Sequence, residues 1–315
     1  MYIMSVIKNK LTLAARILSS IETRFKGWIG VILILPWLIG LVIFKLLPIL
    51  SSLVLSFTNF HLLYPNQVQF VGLKNYQSIL KDGNVGDVFL KTVKLALVII
   101  PLQTLASIAI AALLSSQRLW KRHILRTLFF IPSIIPAFAA TLMWQGFMSP
   151  STGWLNRIFL NPLGLASWNI FSSRGASQPL MIFSSLWTIG PGMLIMMGAM
   201  QGVSPEVYEA ALMDGAGRWA RFFKITLPLI TPAIFFSLVL NLTAVFGGAI
   251  LLDRGNTFSV DLSSFDAYVN FQLFNMFNLG YASSLAWIFF IFVMIVVLIL
   301  FQTSKSWVYF PDREN

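Results

Sequence analysis

Cysteine is absent from the 315 residues, which excludes disulfides and thiolate metal sites. Histidine is nearly as scarce. His61 and His123 are the only two, too few for a histidine-based zinc centre. Charged residues make up 10% of the chain, far below the roughly 25% of a soluble domain. No GxxxxGK loop is present, so the chain has no P-loop of its own to hold ATP. HExxH, GxSxG and the paired-glycine dinucleotide fingerprint are missing too. The long apolar segments carry no Asp or Glu, which speaks against a carboxylate proton relay. Enzymatic chemistry therefore has little footing here.

What the chain does have is grease. It is 57% hydrophobic, its mean hydropathy is +0.80, and several apolar runs reach the roughly 20 residues a helix needs to cross a bilayer. The reading is an all-α membrane protein. The net charge of +11 is that of Lys- and Arg-rich inner loops, not of a nucleic-acid binder. Residues 1–27 carry five basic residues against Glu22 and form an amphipathic segment on the membrane surface. About six spans follow, at 28–57, 89–114, 127–147, 178–200, 228–251 and 282–303, and the tail is 304–315. Both termini are then cytoplasmic. Fourteen of the 22 Lys and Arg fall on the four inner segments, as the positive-inside rule requires. Lys45 sits unusually deep, although lysine can snorkel to an interface. The prolines at 36, 48, 132, 136 and 191 predict kinked spans.

The long polar interlude between apolar segments is 201–228. Ser204-Pro205-Glu206 reads as a helix start, with a hydroxyl cap, proline in the first turn and an acid beside it. Val207, Tyr208, Ala211 and Leu212 recur at helical spacing and make one apolar face. Ala210 and Ala211 keep the helix thin, and Gly215 and Gly217 end it. Arg218, Arg221 and Lys224 follow. The segment reads as a short docking helix, a turn and a ramp into the next span.

Glu209-Ala210-Ala211, then Gly215, then Ile225, Leu227 and Pro228 fit EAA-x3-G-x9-I-x-LP without a gap. This resembles the EAA loop of membrane subunits of bacterial binding-protein-dependent ABC importers. The flanks agree. Phe70-Val71-Gly72-Leu73-Lys74-Asn75-Tyr76 is similar to the FxGLxNY segment of the sugar-importing branch. Leu279-Gly280-Tyr281-Ala282-Ser283-Ser284-Leu285 is similar to its GxASAL start of the last span, and Trp307-Val308-Tyr309 to its common ending. One departure is Leu252-Asp253-Arg254-Gly255-Asn256, which stands where many relatives have a GGGP-like stretch.

The resemblance implies the type I ABC importer permease fold, closest to the larger maltose-transporter subunit, in the bacterial inner membrane. It implies a coupling helix that lies in a cleft of a cytoplasmic ATPase. Glu209, Ala210, Ala211, Asp214, Gly215, Arg218 and Pro228 would serve that contact. The implied partners are a second, homologous permease, an ATPase dimer and an extracytoplasmic solute-binding protein. ATP and Mg would sit on the ATPase, and this chain would bind no cofactor. For the solute path the resemblance points to Ser184, Trp187 and Thr188 in the fourth span and Asn241 in the fifth, with Gln103 and Gln145 behind them. Hydroxyls, amides and aromatic faces suit a sugar or polyol. Arg157 and Arg174 leave glycerol phosphate open as a solute. A secondary transporter would need inverted repeats and buried coupling ions, and neither is legible. Gly198 and Gly202 form a small-xxx-small pair expected to pack helices.

Overall fold

The computed structural model describes residues 31, 33–116, 121–149, 152–164, 177–246 and 264–309. The segment 1–27, Arg118, Arg174, the stretch 252–256, the Gln145 side chain and the end of the tail lie outside them. The described helices are α1 (Leu33–Ser56), α2 (Lys74–Lys81), α3 (Gly83–Ser115), α4 (Arg122–Phe130), α5 (Ala137–Phe147), α6 (Ser177–Trp187), α7 (Gly190–Gln201), α8 (Pro205–Met213), α9 (Arg218–Leu229), α10 (Thr231–Phe246), α11 (Phe265–Phe274) and α12 (Leu279–Trp307). Among the described residues β-pairing is limited to two isolated bridges, Thr58 with Phe70 and His61 with Asn278. The all-α expectation holds.

Three helices, α1, α3 and α12, are each long and apolar enough to cross a bilayer, and the bent pair α9–α10 reaches that length and apolarity only when its two helices are taken together. Proline explains why the other expected spans are not single straight rods. The expected 127–147 span is α4, a 3-10 turn at Ile131–Ile134, and α5. Ile135, which precedes Pro136, is extended (φ −68°, ψ 126°), as a pre-proline residue prefers. The expected 178–200 span breaks at Thr188–Ile189, just before Gly190-Pro191. The expected 228–251 span bends by 64° at Ile230, between Pro228 and Pro232. In α1 a π-helical turn, Val42–Leu46, precedes Pro48, which removes one donor from the helix ladder. Lys45 lies in that turn, exposed.

Two boundaries also shift. The second span starts at Gly83 instead of 89, because the Asp82 carboxylate accepts the Asn84 N–H and caps it. The expected outer loop 252–281 contains α11, and the last span starts at Leu279 because the Asn278 side chain caps it. Asp82 is a hub. It accepts hydrogen bonds from the hydroxyls of Tyr268 on α11 and Tyr281 on α12, the latter at 3.0 Å. Burial raises the Asp82 carboxyl, but the bonds from Tyr268 and Tyr281 outweigh that and hold it below its ordinary range. Burial and the neighbouring Asp82 push the Tyr268 hydroxyl up to about 12.

The core has two parts. Phe265, stacked on Phe289 at 4.3 Å, joins Ile99, Phe246 and Leu285 between α3, α10, α11 and α12. Met193, Met196 and Met200 on α7 pack with Ile108 and Leu114 on α3 and with Ile230. In a bilayer, helix contacts gain van der Waals packing rather than hydrophobic transfer, so close approach at small residues counts. A Cβ on Gly190 would lie 2.7 Å from the Phe129 carbonyl, and one on Gly280 only 2.2 Å from the Thr58 carbonyl. Gly198 does not serve this way, since a Cβ there would meet nothing within 4 Å.

The flanking motifs acquire reasons. Gly72 turns the chain at φ +58°, and the Asn75 amide donates to the Ser56 and Thr58 carbonyls, both at 2.8 Å. Tyr76 meets the Ser56 hydroxyl at 2.7 Å. Gly280 lets α12 lie on that same corner, its N–H donating to Phe60 O at 3.0 Å. At the other end Trp307 packs on Phe235, and the Tyr309 N–H donates to Thr231 Oγ1 at 2.9 Å.

Candidate functional site

Two places carry functional side chains. The first is α8 and the turn after it. Ser204 occupies the cap position but does not cap: its hydroxyl engages the Glu206 carboxylate instead of a backbone N–H. Pro205 in the first turn removes a donor that would otherwise need a partner. The far end is closed by a Schellman motif. Gly215 adopts φ +75°, its N–H donates to Leu212 O at 3.0 Å, and the Ala216 N–H donates to Ala211 O at 2.9 Å. Glycine suits this left-handed position. Gly217 has a different job from the expected one: it is extended (φ −67°, ψ 168°) and starts α9.

No residue of α8 is buried. Glu209, Ala210, Asp214, Gly215, Arg218 and Pro228 are exposed and Ala211 is half-buried. The apolar face expected at Val207, Tyr208, Ala211 and Leu212 packs into this chain only in part, with Tyr208 and Ala211 half-buried. Val207 and Leu212 are open to the outside, Met213 is 89% exposed and Trp219 76%. Trp219 stacks on the exposed Phe223 at 5.9 Å. Contiguous apolar exposure rimmed by charge is the mark of a contact surface. Sequence spacing found the helix, whereas Met213, Trp219 and Phe223 had no signal beyond their apolarity.

The second place is a cavity of about 500 Å³ between α3, α6, α7 and α10. Ser184, Thr188 and Asn241 line it, so the structure unites three of the four expected solute-path residues. Trp187 does not line it. Its ring faces the core, edge-on to Trp144 at 5.4 Å. Gln103 joins the lining from α3, its amide donating to Ser185 O at 2.8 Å and so bracing the broken end of α6. Asn241 donates to Thr104 Oγ1 at 3.3 Å, which ties α10 to α3. Sequence reading missed Ser107 and Ser237, which are 2% and 1% exposed, line the cavity and make no hydrogen bond to another described residue. Gly192 brings them together: a Cβ there would stand 2.6 Å from Ser107 Oγ and 3.9 Å from Ser237 Oγ. The start of α7 also faces the cavity through Pro191 and Gly192.

With Ser185 and Thr243 included, the lining offers six hydroxyls and two amides, the rest being apolar. Among the described residues no charged side chain lines it. Nor do three or more His, Asp or Glu side chains gather to hold a metal. The arrangement can exchange hydrogen bonds with a neutral polar solute, and it offers no counter-charge.

Comparison with known proteins places these features in context. Residues 103–306 match the family model described as binding-protein-dependent transport system inner membrane component. The chain is similar to the probable ABC transporter permease protein YesP of Bacillus subtilis, 32% identical over 91% of this chain and 93% of that one. It is 27% identical to the trehalose/maltose transport system permease protein MalF of Thermococcus litoralis, over 88% of this chain and 94% of that one. Among solved structures, a chain of a bacterial alginate ABC transporter, in complex with an alginate pentasaccharide-bound periplasmic protein, superposes with a TM-score of 0.75. That match covers 89% of this chain and 95% of that chain at 21% identity, and at that identity it speaks for the fold alone.

Proposed function

The chain belongs to the family of binding-protein-dependent transport system inner membrane components, and from that premise we propose that it is the sugar-conducting permease subunit of an ABC importer. The observation that carries the proposal is α8: a Schellman-capped helix at the EAA spacing, none of whose residues is buried in its own chain. In this reading α8 lies in a cleft of a cytoplasmic ATPase. Glu209, Asp214 and Arg218 set its register, Ala210 and Ala211 permit close packing, Gly215 makes the turn, and Pro228 starts the rise into the membrane. Rim charges of this kind steer and orient more than they hold. ATP and Mg belong to the ATPase dimer, and this chain is non-catalytic. The membrane is the bacterial inner membrane, with α8 and both termini on the cytoplasmic side and about six crossings.

A second permease, homologous to this one, and an extracytoplasmic binding protein complete the assembly. The bare face of α1 supports the second permease. Nothing in its most apolar 18-residue window is buried within this chain, while its end packs on α12 through the Trp287 indole, which donates to Ser52 Oγ at 3.1 Å.

The solute is a sugar, oligosaccharide or polyol. Ser184, Thr188 and Asn241, with Gln103, Ser107 and Ser237, exchange hydrogen bonds with its hydroxyls, each worth about 0.5–1.5 kcal/mol. Glycerol phosphate fits less well. Taking an anion out of water costs several kcal/mol, and the N-terminus of α7 returns about 1 kcal/mol. Arg157 lies exposed on a separate turn and does not line the cavity. The test is reconstitution of the purified assembly in liposomes with panels of neutral and anionic sugars. ATP-dependent uptake of a neutral saccharide supports the reading. Uptake by this chain alone, without an ATPase, overturns it.

A further inference from the structure

We infer that the hydrogen bond between Tyr208 and Thr226 is the strut through which α8 drives the bent pair α9–α10. The inference rests on the proposal that α8 docks on an ATPase.

A docking helix can move the membrane helices only through its attachments. Covalently, α8 hangs between Gly202 on one side and Gly215 and Gly217 on the other. Glycine-rich joints turn easily and transmit little torque. Among the described residues, one side-chain hydrogen bond ties α8 to the rest of the fold, between the Tyr208 and Thr226 hydroxyls at 2.9 Å. Among the described residues no other element packs closely along α8, and none of its residues is buried. The hydroxyl pair is thus the stiff connection and the glycine linkers are the soft ones.

The receiving end is well placed. Thr226 is buried, 7% exposed, in the π-helical turn Phe222–Thr226 of α9. Its carbonyl accepts the Ile230 N–H at 3.1 Å. Ile230, 1% exposed, is the residue at the 64° bend, and it is clamped among Met193, Met196 and Met200 of α7. Beyond that pivot α10 carries Ser237 and Asn241 to the cavity, 11 and 15 residues from Thr226, or roughly 16 and 22 Å of helix. A push on α8 therefore reaches Thr226, levers about Ile230, and swings the cavity-lining face of α10. Tyr208 and Thr226 are positioning residues: neither touches the solute.

The test uses the complete transporter in proteoliposomes and reads solute moved per ATP hydrolysed, alongside the amount of ATPase that co-purifies. Tyr208→Phe and Thr226→Val each remove a hydroxyl and keep the shape. Each should lower the transport-to-hydrolysis ratio about 2- to 13-fold, the value of one net hydrogen bond, with ATPase recovery unchanged. Thr226→Ser keeps the hydroxyl and should keep the ratio. The double variant should be no worse than either single one, since both remove the same bond. An unchanged ratio in Tyr208→Phe and Thr226→Val overturns the strut. So does Thr226→Ser as damaged as Thr226→Val, which would show that shape and not the hydroxyl matters. Glu209→Lys in parallel separates the two readings. If it loses the ATPase while Tyr208→Phe stays coupled, only the strut fails; if it keeps full ATPase and coupling, the docking proposal fails.

Discussion

Substituting Gly192 with alanine tests whether the cavity is built as described. A Cβ at this position lies 2.6 Å from Ser107 Oγ and 3.4 Å from Ser107 Cβ. Ordinary van der Waals contact starts near 3.4 Å, so the oxygen has to retreat by roughly 0.8 Å while the carbon can stay. A serine hydroxyl escapes by rotating to another staggered χ1 well, so the stability cost is at the low end of overpacking, about 1 kcal/mol. The functional cost is larger, because the hydroxyl that leaves is one of the two with no partner in the described chain. Losing one hydrogen bond to solute corresponds to about 0.5–1.5 kcal/mol, or a 2- to 13-fold fall in uptake at saturating solute-loaded binding protein. The assay is ATP-driven uptake into proteoliposomes beside thermal unfolding in detergent. Ser107→Ala should lower uptake by the same factor without overpacking. In the double variant the melting temperature should recover and uptake should fall no further. The reasoning fails if Gly192→Ala leaves uptake intact, or if Ser107→Ala does not relieve its instability.

Other perturbations probe other parts of the fold. Glu209→Lys reverses the charge of an exposed residue, so the folding stability should stay within about 0.5 kcal/mol of wild type while ATPase recovery in a pull-down falls; full recovery contradicts its role. Gly280→Ala puts a carbon 2.2 Å from the backbone carbonyl of Thr58, which cannot rotate away, so destabilisation should reach about 3 kcal/mol or more, read as lost yield of monodisperse protein. Asp82→Asn should cost about 1–2 kcal/mol at neutral pH by weakening its charged hydrogen bonds. The Asp82 carboxyl is lowered in the fold, so its contribution is fully present above the unfolded value of about 3.9 and is lost as pH falls through the folded value. The melting difference between wild type and Asp82→Asn should therefore shrink in acid.

How much of this was legible in the sequence depended on the range of the forces involved. The EAA spacing located α8 because a helix start, a thin face and a left-handed glycine are local demands on neighbouring residues. The prolines announced trouble in the first, third and fourth spans, but Pro191 gave no way to tell a kink from the full break at Thr188–Ile189, and the bend at Ile230 was not foreseen. Capping moved two boundaries: Asp82 and Asn278 each accept an N–H two or three residues on, a role many polar loop residues could fill, and the Tyr268 and Tyr281 hydroxyls that make Asp82 a hub come from distant sequence. The cavity divided the same way. Ser184 and Thr188 stood out as polar groups one turn apart within an apolar run, whereas Ser107 and Ser237 gain meaning only when Gly192 lets α3, α7 and α10 meet. Trp187 misled because an aromatic ring in a span serves a sugar or a core equally well, and Trp144, which decides it, is 43 residues away in sequence.

The central claim is that α8 is the face on which an ATPase rests. Because the chain has no cysteine, Met213→Cys places a unique thiol on a residue of α8 that is 89% exposed. The measurement is cross-linking of that variant in native membranes with a short maleimide–amine reagent, followed by mass spectrometry of the adduct. The account predicts a conjugate to a nucleotide-binding ATPase subunit, and protection of the thiol from soluble maleimide when that subunit is present. A thiol that stays fully reactive in the assembled transporter, or a conjugate to an extracytoplasmic protein, contradicts it.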